Sequence, residues 1–177
     1  MIRFINLLTA IRILLAPFIL FFLIYGEYLV CTLLFFLAGI SDYFDGYLAR
    51  KYNAESQLGE ILDPIADKIL VVFILIGLSV NLHSYLMAVM SSLIVSREIG
   101  VTALRDYAAR NNMSHKTKVT FLAKSKTALQ LSTIMMYLIA LSLNLNLLII
   151  ISDVSLIATA LITLYTGYEY AKNIFTK

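Results

Sequence analysis

Six long apolar segments make up most of this chain, and several of them are separated by breaks of only a few residues. Their approximate bounds are 9–25, 29–50, 62–80, 85–107, 124–143 and 147–168. Of 177 residues, 60% are hydrophobic and 14% are charged, whereas soluble domains are about 45–50% apolar and about 25% charged. This composition excludes a soluble domain and a disordered chain. Because about 20 apolar residues span a bilayer, the sequence predicts an all-α integral membrane protein with six transmembrane helices in a single domain, 1–177.

The positive charges predict the orientation of these helices. With six spans, all fourteen Lys and Arg residues fall on the side of the termini and of the two longer polar breaks, 51–61 and 108–123. Because cytoplasmic loops carry the excess of Lys and Arg, we expect both termini and both longer breaks in the cytoplasm. The net charge of +3 then reflects orientation and contact with anionic lipids, not nucleic-acid binding. The first dozen residues, apolar with Arg3 and Arg12, also suit an N-terminal helix at the membrane interface.

Four carboxylates in or at the ends of spans two and three are the most informative polar residues. A carboxylate near mid-membrane costs about 2.5–3.5 kcal/mol, so these side chains should face a polar cavity and not lipid. The members of each pair are three or four residues apart and share one helix face. The two faces can meet near the cytoplasmic boundary, because a short loop joins the two spans. The four residues are Asp42, Asp45, Asp63 and Asp67.

Four carboxylates in one cavity repel each other, so either some are protonated or cations neutralise them. A ligand set made of oxygen atoms suits a hard cation, Mg²⁺ or Mn²⁺. Two pairs of carboxylates could hold two ions, which suits displacement at phosphorus. A proton or cation pathway in a transporter also buries acids. The carboxylates alone therefore leave both functions open.

Small residues accompany these acids. Gly46 and Ala49 share a face of span two, and Gly59 precedes Asp63 by four residues. Glycine within a helix allows a ligand to approach the backbone, but small residues also allow helices to pack closely. Arg50 offers a planar guanidinium to a phosphate group.

Together these residues form the pattern D-x2-D-G-x2-A-R-x8-G-x3-D-x3-D between Asp42 and Asp67. The pattern resembles the signature of the CDP-alcohol phosphatidyltransferase family at every defined position. The resemblance covers the whole chain and implies a homodimer of six-helix subunits. It also implies a reaction in which a CDP-linked lipid binds two metal ions through its pyrophosphate. An alcohol attacks the phosphorus that carries the lipid, and CMP leaves.

The resemblance further implies roles for individual residues. Asp42, Asp45 and Asp63 would be metal ligands. Asp67 would be the general base toward the acceptor hydroxyl and a further metal ligand. The residues expected to bind the CDP-lipid are Gly46, Ala49, Arg50 and Gly59.

Segments outside the signature narrow the choice of acceptor alcohol, because they resemble parts of the bacterial phosphatidylglycerophosphate synthases within this family. The segments are 6–12 with Pro17, 96–99 with Arg105, and 124–127 with Gln130. The resemblance implies transfer from CDP-diacylglycerol to glycerol 3-phosphate at the bacterial inner membrane. Ala123 departs from the glycine that is usual in that branch. A sister transferase for phosphatidylglycerol, serine or an inositol phosphate stays an alternative, as does a small cation transporter.

Cations in spans four and five are candidates for binding a phosphorylated acceptor. An Arg at depth needs an anion, and Glu98 should be a poor partner for Arg97 because neighbours diverge on a helix. A substrate phosphate or one of the four aspartates is then the expected partner. Lys126 begins a polar stripe that runs to Tyr137 and should face the pocket, with Lys124 at the interface. The candidate acceptor-phosphate residues are Arg97, Arg105, Lys126 and Lys124, with Thr9 and Arg12 as weaker candidates.

Overall fold

The computed structural model describes residues 2–51, 57–111, 113 and 121–175, with backbone alone for 2–6, 45, 48–50, 57–58, 60–61 and 121–124. These residues form six α-helices and no strand. The helices are α1 (Ile2–Ile24), α2 (Tyr28–Lys51), α3 (Gln57–Asn81), α4 (Tyr85–Arg110), α5 (Phe121–Ser142) and α6 (Asn146–Phe175). Each predicted span coincides with one helix, so the all-α prediction is confirmed. Residues 2–12, suggested above as a possible interfacial helix, are continuous with the rest of α1.

The outer surface of the bundle is that of a membrane protein. In the described part of the chain, three segments are long and apolar enough to cross a membrane: Leu7–Ile24, Tyr85–Arg110 and Asn146–Phe175. Large apolar side chains such as Leu14 and Val154 are more than 60% exposed, which lipid tolerates and water does not. In α2 the apolar segment Tyr28–Phe44 leads to the end of the helix that carries the acidic residues.

Each of the three short turns contains one residue in the left-handed region: Gly26 (φ 79°), His83 (φ 46°) and Asn144 (φ 53°). Such a residue commonly ends a helix, because it lets the following amides bond back to the last carbonyls. After Asn144, for example, the amide of Leu145 donates to the carbonyl oxygen of Ala140 at 2.9 Å. The helices joined by these turns run antiparallel.

The six helices form two groups of three. In the first group α1 packs against α2 and α3, and in the second α6 packs against α4 and α5. Contacts of α2 with α5 and of α3 with α4 join the groups. A Cβ atom at Gly77 would lie 2.8 Å from Cδ1 of Leu23, so a larger residue there would require leucine side chains of α1 to shift.

A polar seam holds α5 against α6. The Thr133 hydroxyl lies 2.6 Å from that of Ser155, and the Tyr137 hydroxyl donates to Oδ1 of Asp153 at 2.5 Å. The predicted polar stripe on α5 is therefore buried. Its second half, Thr133 and Tyr137, packs against α6 and does not line the pocket.

Candidate active site

A cavity of about 1230 Å³ lies between the two helix groups, lined by residues of α1 to α5. Its apolar walls include Phe35, Ile40, Val72, Met135 and Met136. Its charged and amide lining consists of Arg12, Asp42, Asp67, Lys68, Arg97, Glu98, Arg105, Lys126 and Gln130. The acids of α2 and α3 thus face the cations of α4 and α5 across one space.

On the acidic side, one guanidinium joins two carboxylates from different helices. Nη1 of Arg12 donates to Oδ1 of Asp42 at 2.6 Å and to Oδ1 of Asp67 at 2.7 Å. The Arg12 side chain is 1% exposed, whereas the two aspartate side chains are half exposed. The carboxylates therefore converge as their spacing predicts, and α1 supplies the cation between them.

Asp63 lies on the same side but has a different partner. Its Oδ1 accepts a hydrogen bond of 2.7 Å from the hydroxyl of Thr9, which is fully buried. Thr9 and Arg12 were weaker candidates for the acceptor phosphate, and the structure brings both to the aspartates. The reason is that α1 packs against α2 and α3, and among the described residues it makes no contact with α4.

The donor set of this side fits a hard cation. Asp42 and Asp67 present half-exposed carboxylates to the cavity and already share one positively charged group. Within the described part of the chain, no group of three or more His, Cys, Asp or Glu side chains could hold a metal ion by itself. The fourth predicted ligand, Asp45, has a side chain outside the described residues.

The residues predicted to bind the CDP-lipid are only partly described. Gly46 lies in α2 next to the acidic side, and Gly59 is buried in α3 one turn before Asp63. The side chains of Ala49 and Arg50 lie outside the described residues, as does that of Lys124.

On the basic side, Glu98 links two of the predicted acceptor cations. Its Oε1 accepts from Nζ of Lys126 and lies 3.3 Å from Nη1 of Arg97. The expectation that Glu98 is a poor partner for Arg97 was therefore wrong. Neighbouring Cβ atoms do diverge, but both side chains are long enough to converge. No aspartate contacts Arg97 among the described ion pairs.

Helix α6 provides the other partners of the two arginines. Nη2 of Arg97 donates to the Thr166 hydroxyl at 2.8 Å, and Nη2 of Arg105 donates to the Tyr170 hydroxyl at 2.8 Å. Lys126 is buried and lines the cavity, which confirms that it faces the pocket.

The sequence interpretation missed Glu98, Thr166 and Tyr170, and also Lys68, which lines the cavity and donates to the Thr102 hydroxyl. A signal for the α6 residues was present in the sequence. Polar residues recur there at helical spacing, at Thr159, Thr163, Thr166 and Tyr170.

Comparison with known proteins agrees with this geometry. A family model described as CDP-alcohol phosphatidyltransferase matches residues 4–165. A protein of Blochmanniella floridana is 39% identical over 171 residues, covering 94% of this chain and 88% of that protein. Proteins of Haemophilus influenzae and Escherichia coli are 39% and 33% identical over 127 and 129 residues, about 70% of each chain. All three relatives are named CDP-diacylglycerol–glycerol-3-phosphate 3-phosphatidyltransferase.

Proposed function

The chain belongs to the CDP-alcohol phosphatidyltransferase family, and from this premise we propose that it transfers a phosphatidyl group from CDP-diacylglycerol to glycerol 3-phosphate. The products are phosphatidylglycerophosphate and CMP, and residues 1–177 act as one catalytic domain. Family membership makes the chain a transferase of phospholipid biosynthesis and argues against a cation transporter. The named relatives support glycerol 3-phosphate over phosphatidylglycerol, serine or an inositol phosphate as acceptor.

The opposition of charges across the cavity is the observation that carries this proposal. Asp42 and Asp67 lie on one side, and Arg97, Arg105 and Lys126 lie on the other. A phosphorylated alcohol can place its phosphate on the cations while its hydroxyl points toward the acids. The apolar walls suit the acyl chains of a lipid donor.

Different residues of this chain then have different roles in the reaction. Arg97, Arg105 and Lys126 bind and orient the acceptor phosphate through charge-assisted hydrogen bonds. Asp67, half exposed to the cavity, takes the proton of the attacking hydroxyl as general base. A bond forms between the acceptor oxygen and the phosphorus that carries diacylglycerol, and the bond from that phosphorus to CMP breaks. Gly46, Ala49, Arg50 and Gly59 would bind the CDP-lipid.

The family is generally metal-dependent, and we assign two ions, Mg²⁺ or Mn²⁺, to this site. Asp42, Asp45, Asp63 and Asp67 would hold them. When bound, such ions neutralise the pyrophosphate and stabilise the charge that develops on CMP.

We expect CMP release from CDP-diacylglycerol by the purified protein to require both glycerol 3-phosphate and Mg²⁺, and to stop on addition of EDTA. The measurement compares glycerol 3-phosphate with serine, inositol phosphate and phosphatidylglycerol as acceptors. Release with one of the other acceptors in preference would overturn the proposed acceptor. Undiminished release in EDTA would overturn the metal assignment.

The Arg12 contacts predict a metal effect that is visible without turnover. In Arg12→Met, Asp42 and Asp67 lose the cation that they share, so the metal-free protein should be less stable than the wild type by several degrees in Tm. Added Mg²⁺ should then raise Tm more in the variant than in the wild type, because metal binding replaces the lost charge. Arg110→Met is the control, since Arg110 is an exposed residue paired with Asp106. Equal Mg²⁺-dependent shifts in all three proteins would contradict the prediction.

The Lys and Arg distribution supports an inner-membrane orientation with both termini and the active site on the cytoplasmic side. In a Cys31→Ala background, single cysteines at His115 and Glu27 should react with an impermeant reagent from opposite sides of the membrane. Reaction of both from one side would overturn this orientation.

We also propose a homodimer, as the family resemblance implies. Small residues along α4, Ala88, Ser92 and Ser96, line a shallow surface groove, and small residues allow transmembrane helices to approach closely. Cross-linking in native membranes should give a species of twice the 19.9 kDa chain mass; a monomer under all cross-linking conditions would contradict it.

A further inference from the structure

The cavity contains a cation cluster, Arg97, Arg105 and Lys126. Its two arginines contact α6, a helix that does not itself line the cavity. The buried face of α6 includes Thr159, Thr163, Thr166 and Tyr170. Ser and Thr side chains of a membrane helix commonly hydrogen-bond to neighbouring helices, so the partners of this polar face show what its residues do. The Thr159 hydroxyl lies 3.3 Å from that of Thr133 in α5, whereas Thr166 and Tyr170 contact the two arginines.

The first contact places Arg97 closely against Thr166 and Gly167 of α6. The hydroxyl of Thr166, 1% exposed, accepts the 2.8 Å hydrogen bond from Nη2 of Arg97. At the next residue, Gly167, a Cβ atom would lie 2.9 Å from Cγ and 3.1 Å from Nε of Arg97. Because Cγ is in the middle of the Arg97 side chain, an added Cβ would displace the whole side chain from α6 toward the cavity that it lines. Only glycine at 167 lets Arg97 lie along α6 in this position.

The second contact lies one turn further along α6. The hydroxyl of Tyr170 accepts the hydrogen bond from Arg105, and Cζ of Arg105 lies 4.9 Å from the centroid of the Tyr170 ring. The aromatic face and the hydroxyl together fix the guanidinium by a cation–π interaction and a hydrogen bond. One face of α6 thus orients both arginines.

These α6 contacts orient the guanidinium groups of the two arginines but do not neutralise their positive charge. Thr166 and Tyr170 offer neutral hydroxyls to Arg97 and Arg105. Among the described ion pairs, Glu98 is the carboxylate that contacts this cluster, and it is shared between Arg97 and Lys126. The cluster therefore keeps a positive excess, and a phosphate dianion is the complementary ligand.

We propose that Thr166, Gly167 and Tyr170 are positioning residues that hold Arg97 and Arg105 in the geometry required by the acceptor phosphate. This inference rests on the proposed function, since it assigns the cations to the acceptor and not to the CDP-lipid. The three residues contact no substrate and act through the arginines. Their effect should therefore fall on the affinity for the acceptor.

The test measures KM for glycerol 3-phosphate, KM for CDP-diacylglycerol and kcat in matched pairs of variants. Gly167→Ala should raise KM for glycerol 3-phosphate about tenfold or more, because a displaced Arg97 loses its charged hydrogen bonds to the acceptor phosphate. KM for CDP-diacylglycerol should change by less than about twofold. Gly100→Ala is the control, because it makes the same change in α4 at a position where the added Cβ would meet no described atom within 4 Å beyond its own neighbours and the adjacent helix backbone. It should leave all three constants unchanged.

Removal of single hydroxyls tests the same inference with little risk to folding. Thr166→Val and Tyr170→Phe should raise KM for glycerol 3-phosphate severalfold, and Thr166→Ser should restore it. Thr163→Val is the control, because the buried Thr163 hydroxyl has no hydrogen-bond partner among the described residues. Two results would overturn the positioning role. One is an equal rise in KM for both substrates, and the other is a set of KM values that do not differ from those of the two control variants.

The wild type separates this inference from the proposed function. Wild-type CMP release that does not respond to glycerol 3-phosphate would overturn the proposed function. The positioning role is then decided by inorganic phosphate as the probe, through the rise in Tm that it causes in the wild type, Gly167→Ala and Gly100→Ala. A smaller rise in Gly167→Ala than in both others supports the inference, and equal rises overturn it.

Discussion

Replacing Asp67 by Asn should lower kcat by about 10²- to 10⁴-fold, because the amide cannot take the proton of the acceptor hydroxyl and this is the range that a general base contributes. The amide oxygen can still accept the hydrogen bond from Arg12 that Asp67 accepts at 2.7 Å. We therefore expect the variant to fold and to bind CDP-diacylglycerol in part. CMP release under saturating substrates, with a separate measurement of CDP-lipid binding, distinguishes the two effects.

Asp153→Asn is the matched control for this substitution. Asp153 is an intramembrane aspartate on α6 that accepts from the Tyr137 hydroxyl, and it does not line the cavity. Its variant should turn over at close to the wild-type rate. An Asp67→Asn enzyme that matched the wild type would refute the assignment of Asp67 as general base.

Truncation of Arg97 and Arg105 should have the second largest effect, and it should fall on the affinity for the acceptor. In Arg97→Ala and Arg105→Ala we expect KM for glycerol 3-phosphate to rise about 10- to 100-fold, since a hydrogen bond to a charged group contributes about 1.5–3 kcal/mol. KM for CDP-diacylglycerol should change much less. Steady-state kinetics with each substrate varied in turn measures both constants.

Arg110→Ala provides the comparison on the same helix. Arg110 is 77% exposed and pairs with Asp106, so the substitution removes an Arg without touching the cavity. It should leave both KM values unchanged. If Arg97→Ala and Arg105→Ala raised KM for both substrates equally, the two arginines would not belong to the acceptor site.

The helices of this chain follow from its sequence because two strong local patterns agree. Apolar segments of membrane-spanning length predicted six helices, and α4 and α6 begin at or next to the predicted residues. Spacing within a helix was equally informative, since it predicted the shared face of Lys126 and Tyr137. Both patterns act within about twenty residues, where helix geometry alone relates one side chain to another.

The partners of the charged groups were harder to predict because they depend on packing between distant helices. Arg12 is 30 residues from Asp42 and 55 from Asp67, and no local pattern connects them. The Arg97–Thr166 contact spans 69 residues. The prediction for Glu98 failed for a different reason, since helix spacing fixes Cβ directions but not the reach of long side chains.

The two groups of helices divide the proposed chemistry along the chain. The aspartates and the signature belong to α1–α3, whereas the acceptor cations and their α6 partners belong to α4–α6. Substitutions in the second half of the chain can therefore change which alcohol is accepted without altering the residues that bind the nucleotide-linked lipid. A family built this way can diversify its head groups in evolution by varying one half of the sequence while the other half stays under a common constraint.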